Sequence, residues 1–460
     1  MTPANALDLL LIDDEEEIFR PSQPPRGSAG VYNPNSALFN LGMALLRWAV
    51  VPPKLAVPLL SAQAKAAGLS VETVCRPTLP WQGPRLRRLL ARRPLAAAVT
   101  TVAIFDPVFL ARITSEIRRL SPGTVIILGG HGAAASAEIR AQGDLWITGH
   151  GERRLAEVVL ELKKGVPLPQ VPGVTAVPGG GLSAAGSLRY EGIPRVLPPD
   201  WSAASTLARS YPVEASRGCR FNCAFCDFPG RGCQAFRPAA DVAAELAAVR
   251  RERGVKKFEF VDSSLTSDPA FVRQLCAEMR AAGLRVKWKC FARPDAFARD
   301  AGLAREMAAA GCTEIFMGIE SIHDGLLAAM RRGMDRAAVE LGLARAFEAG
   351  ISVHGNFIIG FPGETEATAL ETAAFVRARP FHSAYFCTFG ASREMLDLAA
   401  REPARYLNLA GTPVKGWRCD GLDYRGAYGL TLKAVAAVNA GRSKPLAVSP
   451  RTNDPDCPPF

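Results

Sequence analysis

The sequence predicts an α/β protein built in two parts, and three observations carry that reading. Short apolar runs alternate with stretches of helical spacing twice along the chain, and a Pro-, Gly- and Ser-rich segment separates the two series. A compact cysteine loop, Ser216-Arg217-Gly218-Cys219-Arg220-Phe221-Asn222-Cys223-Ala224-Phe225-Cys226, stands directly behind the first strand of the second series. Repeated strand–helix alternation buries its apolar runs as a parallel sheet with helices on the faces.

In the first series, strands are expected at 9–13, 70–75, 96–104, 124–128 and 144–148, with helices between them. Residues 1–165 therefore read as a five-stranded doubly wound, Rossmann-like domain, which takes ligands at the carboxyl edge of its sheet. That edge carries Thr100 and Thr101, Gly129-Gly130-His131, and Gly149-His150-Gly151-Glu152. Glycines there let a large flat ligand come against the backbone, and the turn at Glu152 opens a helix. No G-x-G-x-x-G follows the first strand, so a dinucleotide is not expected.

Residues 166–211, with Pro178-Gly179-Gly180-Gly181, read as a linker in which Tyr190 and Trp201 are large enough to pack. Strands are then expected at 212–216, 257–262, 286–291, 314–320, 353–359 and 384–389. Six βα units over 212–390 make a partial barrel, short of the eight that close one. Its strand ends carry Asp262, Arg293, Glu320 and Asn356, at the face where such barrels do chemistry. Over 391–460, helical spacing at 393–409 and the crowding of Pro, Gly and Asn after Gly441 predict a short cap and a loose tail.

Lys and Arg number 55 against 44 Asp and Glu, a net charge of +11. The arginines are scattered in pairs such as Arg87-Arg88 and Arg331-Arg332 rather than gathered among aromatics, so nucleic acid is not the expected partner. Eleven cysteines in 460 residues are no disulfide scaffold, and free thiols imply a reducing compartment. The apolar run 9–12 meets acidic residues at once, unlike a signal peptide, and no run of about 18 apolar residues occurs. A soluble, cytoplasmic protein is expected, with no membrane partner.

The spacing C-x3-C-x2-C makes Cys219, Cys223 and Cys226 converge on one soft metal centre. Structural zinc and ordinary electron-transfer clusters want four protein ligands, and no fourth cysteine follows at a matching spacing, so one iron is left open to a substrate. The loop resembles that of the radical S-adenosylmethionine (SAM) enzymes. Two further stretches strengthen the likeness: Met317-Gly318-Ile319-Glu320-Ser321 and Phe357-Ile358-Ile359-Gly360-Phe361-Pro362-Gly363-Glu364-Thr365. The resemblance implies a [4Fe–4S] cluster on the three cysteines, with SAM chelating the open iron. It places Phe225 near the adenine, Glu320 at the ribose or methionine end, and the backbone of Ile359 and Gly360 on the adenine. Arg293 is counted with the SAM-binding residues. The first domain looks like the cobalamin-binding domain that precedes many such barrels, which makes Thr100, Thr101, Gly129, Gly130, His131, Gly149, Gly151 and Glu152 its corrin and nucleotide-tail contacts.

Together these imply a cobalamin-dependent enzyme that methylates an unactivated carbon of a small-molecule or peptide natural product, fed by a flavodoxin- or ferredoxin-type one-electron reductant. Catalytic acids and bases are not assigned. A cyclase or rearrangement enzyme with the same cofactors is an alternative. An RNA-modifying methylthiotransferase is another, although it should carry more cysteines early in the chain, where Cys75 alone precedes Cys219. An iron–sulfur electron carrier or sensor is the non-enzyme alternative. The first strand is followed by Asp13-Asp14-Glu15-Glu16-Glu17 rather than D-x-H-x-x-G, so no protein imidazole is expected on the lower cobalt face. Cys233, Cys387, Cys419 and Cys457 are not expected to bind iron, and Cys75, Cys276, Cys290 and Cys312 read as buried apolar residues.

Overall fold

A computed structural model describes residues 7–14, 54–77, 79, 81–102, 104, 106–166, 171–177, 193, 197–204, 207–226, 228 and 230–448. The chain divides into two compact units, residues 1–188 with 194–211, and residues 189–193 with 212–460.

The first unit holds β1 (Leu9–Asp13), β2 (Val71–Cys75), β3 (Ala96–Thr100), β4 (Val125–Gly129), β5 (Leu145–Ile147) and β6 (Val174–Ala176) in the order β2-β1-β3-β4-β5-β6. The first five strands run parallel. Alternate residues of β1 enter opposite cores: Leu10 and Ile12 join one apolar cluster, Leu9 and Leu11 the other. A strand buried on both faces needs such an unbroken apolar run. The chain reverses direction across the sheet between β1 and β3, the switch point at which doubly wound sheets take ligands. The segment predicted as linker adds β6, antiparallel to β5, and the 3-10 turn Trp201–Ala203. Trp201 packs edge-on against Tyr211 at 4.8 Å, and this burial outweighs the segment's Pro/Gly content.

The second unit is a seven-stranded sheet in which β7 (Ser210–Val213), β10 (Lys257–Phe260), β11 (Lys287–Ala292), β12 (Cys312–Glu320), β13 (Ser352–Ile359) and β14 (Ser383–Thr388) follow in chain order, with β18 (Ala447–Val448) at the far edge. The cysteine loop is not the immediate continuation of the first strand. It hangs on a separate antiparallel hairpin of β8 (Ser216–Cys219) and β9 (Cys233–Phe236), in which Cys219 stands opposite Cys233. The hairpin needs glycine at 218: φ is 87°, and a Cβ would lie 2.2 Å from the Cys233 carbonyl oxygen.

Residues 393–448 hold more regular structure than a short cap, and residues 449–460 of the predicted tail lie outside the described residues. The helix Arg393–Arg401 leads to a small antiparallel sheet of β15 (Ala410–Gly411), β16 (Trp417–Cys419) and β17 (Leu422–Asp423). There follow the sixteen-residue helix Tyr424–Asn439 and then β18, which pairs with β14. Asp423 caps that helix through the Gly426 N–H at 2.8 Å. These elements close an apolar core of Phe361, Phe389, Tyr406, Trp417 and Ala427, against which Ala224 and Phe225 of the cysteine loop pack.

Candidate functional site

The cysteine loop is held from below by a buried polar network. Asp262, 2% exposed, accepts from the Ser216 hydroxyl at 2.5 Å and the Ala215 N–H at 3.2 Å, and burial pushes its carboxyl up to about 7. Gln234 donates to Ser216 at 2.9 Å and accepts from Ser267 at 2.5 Å, tying both hairpin strands to the segment after β10. The Ala224 N–H bonds the Met330 carbonyl at 3.0 Å, and the Phe228 N–H points at Cys226 Sγ at 3.4 Å. None of the three thiols is in a disulfide, Cys223 being buried and Cys219 and Cys226 partly so. Burial first, then the neighbouring Cys223, raise the Cys219 thiol, with Arg293 and Arg332 pulling the other way. Among the described residues no three His, Cys, Asp or Glu side chains could hold one metal ion. A cluster gives each cysteine an iron of its own, and three thiols facing N–H and guanidinium donors suit it.

Two arginines lean on Cys223. Arg332 Nη1 lies 3.2 Å from its sulfur and Arg293 Nη1 3.8 Å, both side chains about 5% exposed. Arg293 is neutralised by Asp295 at 2.9 Å and stacks on Phe221 at 3.7 Å; burial, then Arg332, lower its pKa. Arg332 gives Nη2 to the Gly318 carbonyl at 2.6 Å and stands 3.8 Å from Glu320 Oε1, while its buried Nε has no partner. Burial works against its charge, but Glu320 and Cys223 outweigh it and the net shift is upward. Glu320 ends β12 at φ 68° behind a register shift, and burial raises its pKa against the pull of both arginines. Glycine at 318 leaves room for it, since a Cβ there would stand 2.8 Å from Glu320 Oε1. Arg332 was missed in the sequence, where Arg331-Arg332 reads as one more surface pair.

Phe225 is half-buried beside Arg332, whose guanidinium lies 5.9 Å from the ring centre. The Ile359 carbonyl accepts from Phe389 N–H at 2.8 Å, so only its second lone pair is open to a ligand. Gly360 has φ 87° and backs onto the C-terminal helix, where a Cβ would meet that of Ala427 at 2.2 Å. Its N–H bonds Glu364, whose buried carboxyl is pushed up to about 7 by desolvation against the pull of Thr368. Asn356 lies on the same sheet, half-buried.

In the first unit the ends of β1, β3, β4 and β5 lie side by side, with Asp13 beside Thr100, Thr100 beside Gly129, and Gly129 beside Ile147. The Thr100 hydroxyl donates to Asp13 Oδ1 at 3.1 Å. Thr101 is fully buried, and its hydroxyl donates to the Gly129 carbonyl at 3.1 Å and accepts from Ala133 N–H at 2.9 Å, so it holds the turn. Gly130, φ 121°, is demanded by the Val102 nitrogen 2.8 Å from where a Cβ would sit. His131 begins the short helix His131–Ala135 and is exposed; Glu152 is buried in the first turn of Gly151–Lys163. Among the described residues at this edge, Gly149 and Val102 are exposed. Residues 15–17 lie outside the described residues.

Residues 213–376 match the model of the Radical SAM superfamily, so the chain carries a radical SAM domain. An uncharacterized methyltransferase of Pyrococcus horikoshii is 26% identical over 62% of this chain and 64% of its own. A bacteriochlorophyllide d C-12(1)-methyltransferase of Chlorobaculum tepidum is 29% identical over 39% and 41%. A tRNA-2-methylthio-N(6)-dimethylallyladenosine synthase of Mycobacterium marinum is 32% identical over 42% and 40%. The matched part thus spans less than two thirds of each of these relatives. Among solved structures, the radical SAM methyltransferase TsrM from Kitasatospora setae matches with TM-score 0.65 and 19% identity over 86% of this chain and 76% of that one. The cobalamin-dependent radical SAM enzyme OxsB matches with TM-score 0.62 and 16% identity over 81% and 52%. Those likenesses show the two-part fold. No helix among the described residues is long and apolar enough to cross a membrane.

Proposed function

We propose, for a chain that carries a radical SAM domain, a cobalamin-dependent enzyme that methylates an unactivated carbon of a small-molecule or peptide natural product. The observation that carries the proposal is the pairing, in one chain, of a cysteine–arginine–glutamate site with a 2-1-3-4-5 doubly wound sheet. TsrM and OxsB have been solved with cobalamin bound, and TsrM also with tryptophan as substrate.

In this reading Cys219, Cys223 and Cys226 anchor the cluster. Glu320 offers a carboxylate to SAM hydroxyl or ammonium groups, Phe225 an apolar face to the adenine, and the Ile359 carbonyl its remaining lone pair. When bound, the cofactors supply the electron, the 5′-deoxyadenosyl radical and the methyl group. The chain's task is to hold three groups in line and keep water out, for which buried Phe361, Phe389 and Trp417 back the loop. A flavodoxin- or ferredoxin-type reductant would feed the cluster.

Anaerobic reconstitution with iron, sulfide and cobalamin, followed by SAM and a low-potential reductant, tests this without knowledge of the substrate. Release of both S-adenosylhomocysteine and 5′-deoxyadenosine, the former only with cobalamin present, is expected. Neither product, with a full cluster bound, would leave an electron carrier or sensor. Both products, with S-adenosylhomocysteine formed equally without cobalamin, would favour the methylthiotransferase reading that the tRNA-modifying relatives suggest, since a methylthio group also takes its methyl from SAM.

A further inference from the structure

We infer that Arg332 is the residue that sets the reduction potential of the cluster; the inference rests on the cluster assignment above. Among the described residues, it and Arg293 are the guanidiniums placed against a cluster sulfur, and their charges are compensated differently. Arg293 has the carboxylate of Asp295 at 2.9 Å, which it shares with Arg299 at 2.6 Å. Arg332 has no carboxylate in hydrogen-bonding contact. Its contacts are Cys223 Sγ at 3.2 Å, the neutral Gly318 carbonyl and the Phe225 ring, with Glu320 at 3.8 Å and Nε buried without a partner.

A buried cation is costly unless an anion faces it. Here the group that approaches closest is the Cys223 sulfur, which would carry negative charge as a cluster ligand. The neighbouring residue makes the contrast: Arg331 turns the other way, at φ 56°, and pairs with Glu402. One of two identical adjacent side chains is spent on a surface ion pair and the other is buried against the ligand loop.

The electrostatics give the sign. Three thiolates on a four-iron core carry a net negative charge that grows by one on reduction, so a fixed cation beside a sulfur favours the reduced state, and hydrogen bonds to sulfur act in the same direction. Arg332 is thus a positioning and tuning residue, acting on the cluster through its ligand.

The test is an EPR-monitored redox titration of the reconstituted full chain without SAM. Arg332→Gln should lower the reduced-to-oxidised ratio at a fixed potential about tenfold, a midpoint roughly 59 mV more negative for this one-electron couple. Arg293→Gln should shift less, and Arg331→Gln not at all. A midpoint for Arg332→Gln equal to or above that of the parent, with iron content intact, overturns the inference. If the Gln protein does not retain iron, Arg332→His is titrated between pH 6 and 8. Its midpoint should rise as the imidazole gains a proton, more steeply than the parent's, and a parallel pH profile overturns the inference. Failure of the parent chain to bind any cluster is a separate result, which removes the cluster assignment itself.

Discussion

The carboxyl edges of the two sheets are lined differently. In the first unit the buried charges at the edge, Asp13, Asp14, Arg76 and Glu152, stand beside Thr and Gly positions, and several of these serve the fold: Thr101 spends its hydroxyl inside the turn, and Gly130 is required by the Val102 nitrogen. In the second, Arg293, Arg332, Glu320 and Asp262 gather around the cysteine loop. A site that bonds its cofactor through side chains must show their types in the sequence. A site that receives a large ligand by shape need only keep its glycines, and glycines have other reasons to be there.

The comparison breaks most visibly at the cysteines. Replacing Cys219, Cys223 and Cys226 together by Ala should reduce bound iron from about four per chain to nearly none, while cobalamin retention by the first unit is unchanged; iron and corrin assays on one sample check both. Gly360→Leu should come next, because the side chain would be driven into Ala427 at a positive φ. A loss of about 2–5 kcal/mol in the second unit is expected, read as an earlier thermal transition.

The buried acids sharpen the contrast further. Asp262 and Glu364 each titrate near 7 when folded, against 3.8 and 4.5 as ordinary groups, so the folded state keeps protons that the unfolded chain gives up. Their contribution to stability is therefore full below pH 4 and is lost as pH rises through about 7. Glu364→Gln should stabilise the second unit at pH 8 by about 2–3 kcal/mol and flatten this slope in denaturation experiments run across pH. The smallest effect is expected at Thr101→Val, about 1–2 kcal/mol of stability from two lost hydrogen bonds, with cobalamin binding kept. Loss of cobalamin at unchanged stability would instead make Thr101 a ligand contact.

How far the molecule was legible follows from the same contrast. Most strands of both sheets were readable because apolar runs such as Leu9-Leu10-Leu11-Ile12 have one way to bury both faces. The helix Tyr424–Asn439 was not: its glycines at 426 and 429 and its low-complexity Ala/Val run hide a face recognised only once Ala427 meets Gly360. Strands β6 and β18 were also missed, since two or three residues at a sheet edge carry no periodicity. Among candidate site residues, Cys219, Cys223 and Cys226 stood out by their spacing, and Glu320 only through the family resemblance of Met317-Gly318-Ile319-Glu320-Ser321. Arg332 could not, because nothing local separates it from Arg331, and only the turn between Met330 and Gly333 decides which guanidinium goes inward.

The contact between Gly360 and Ala427 bears on how portable the barrel is. Trp417 donates its indole N–H to the Phe389 carbonyl at 3.2 Å, and β18 pairs with Ala384 and Tyr385 at the sheet's edge. A barrel excised at residue 390 would bare the aromatic wall behind the cysteine loop and leave β14 as an open edge, an invitation to aggregate. Grafting this catalytic half onto another carrier would therefore require transplanting the chain through at least Val448, so the recombination unit is larger than the stretch that matches its superfamily.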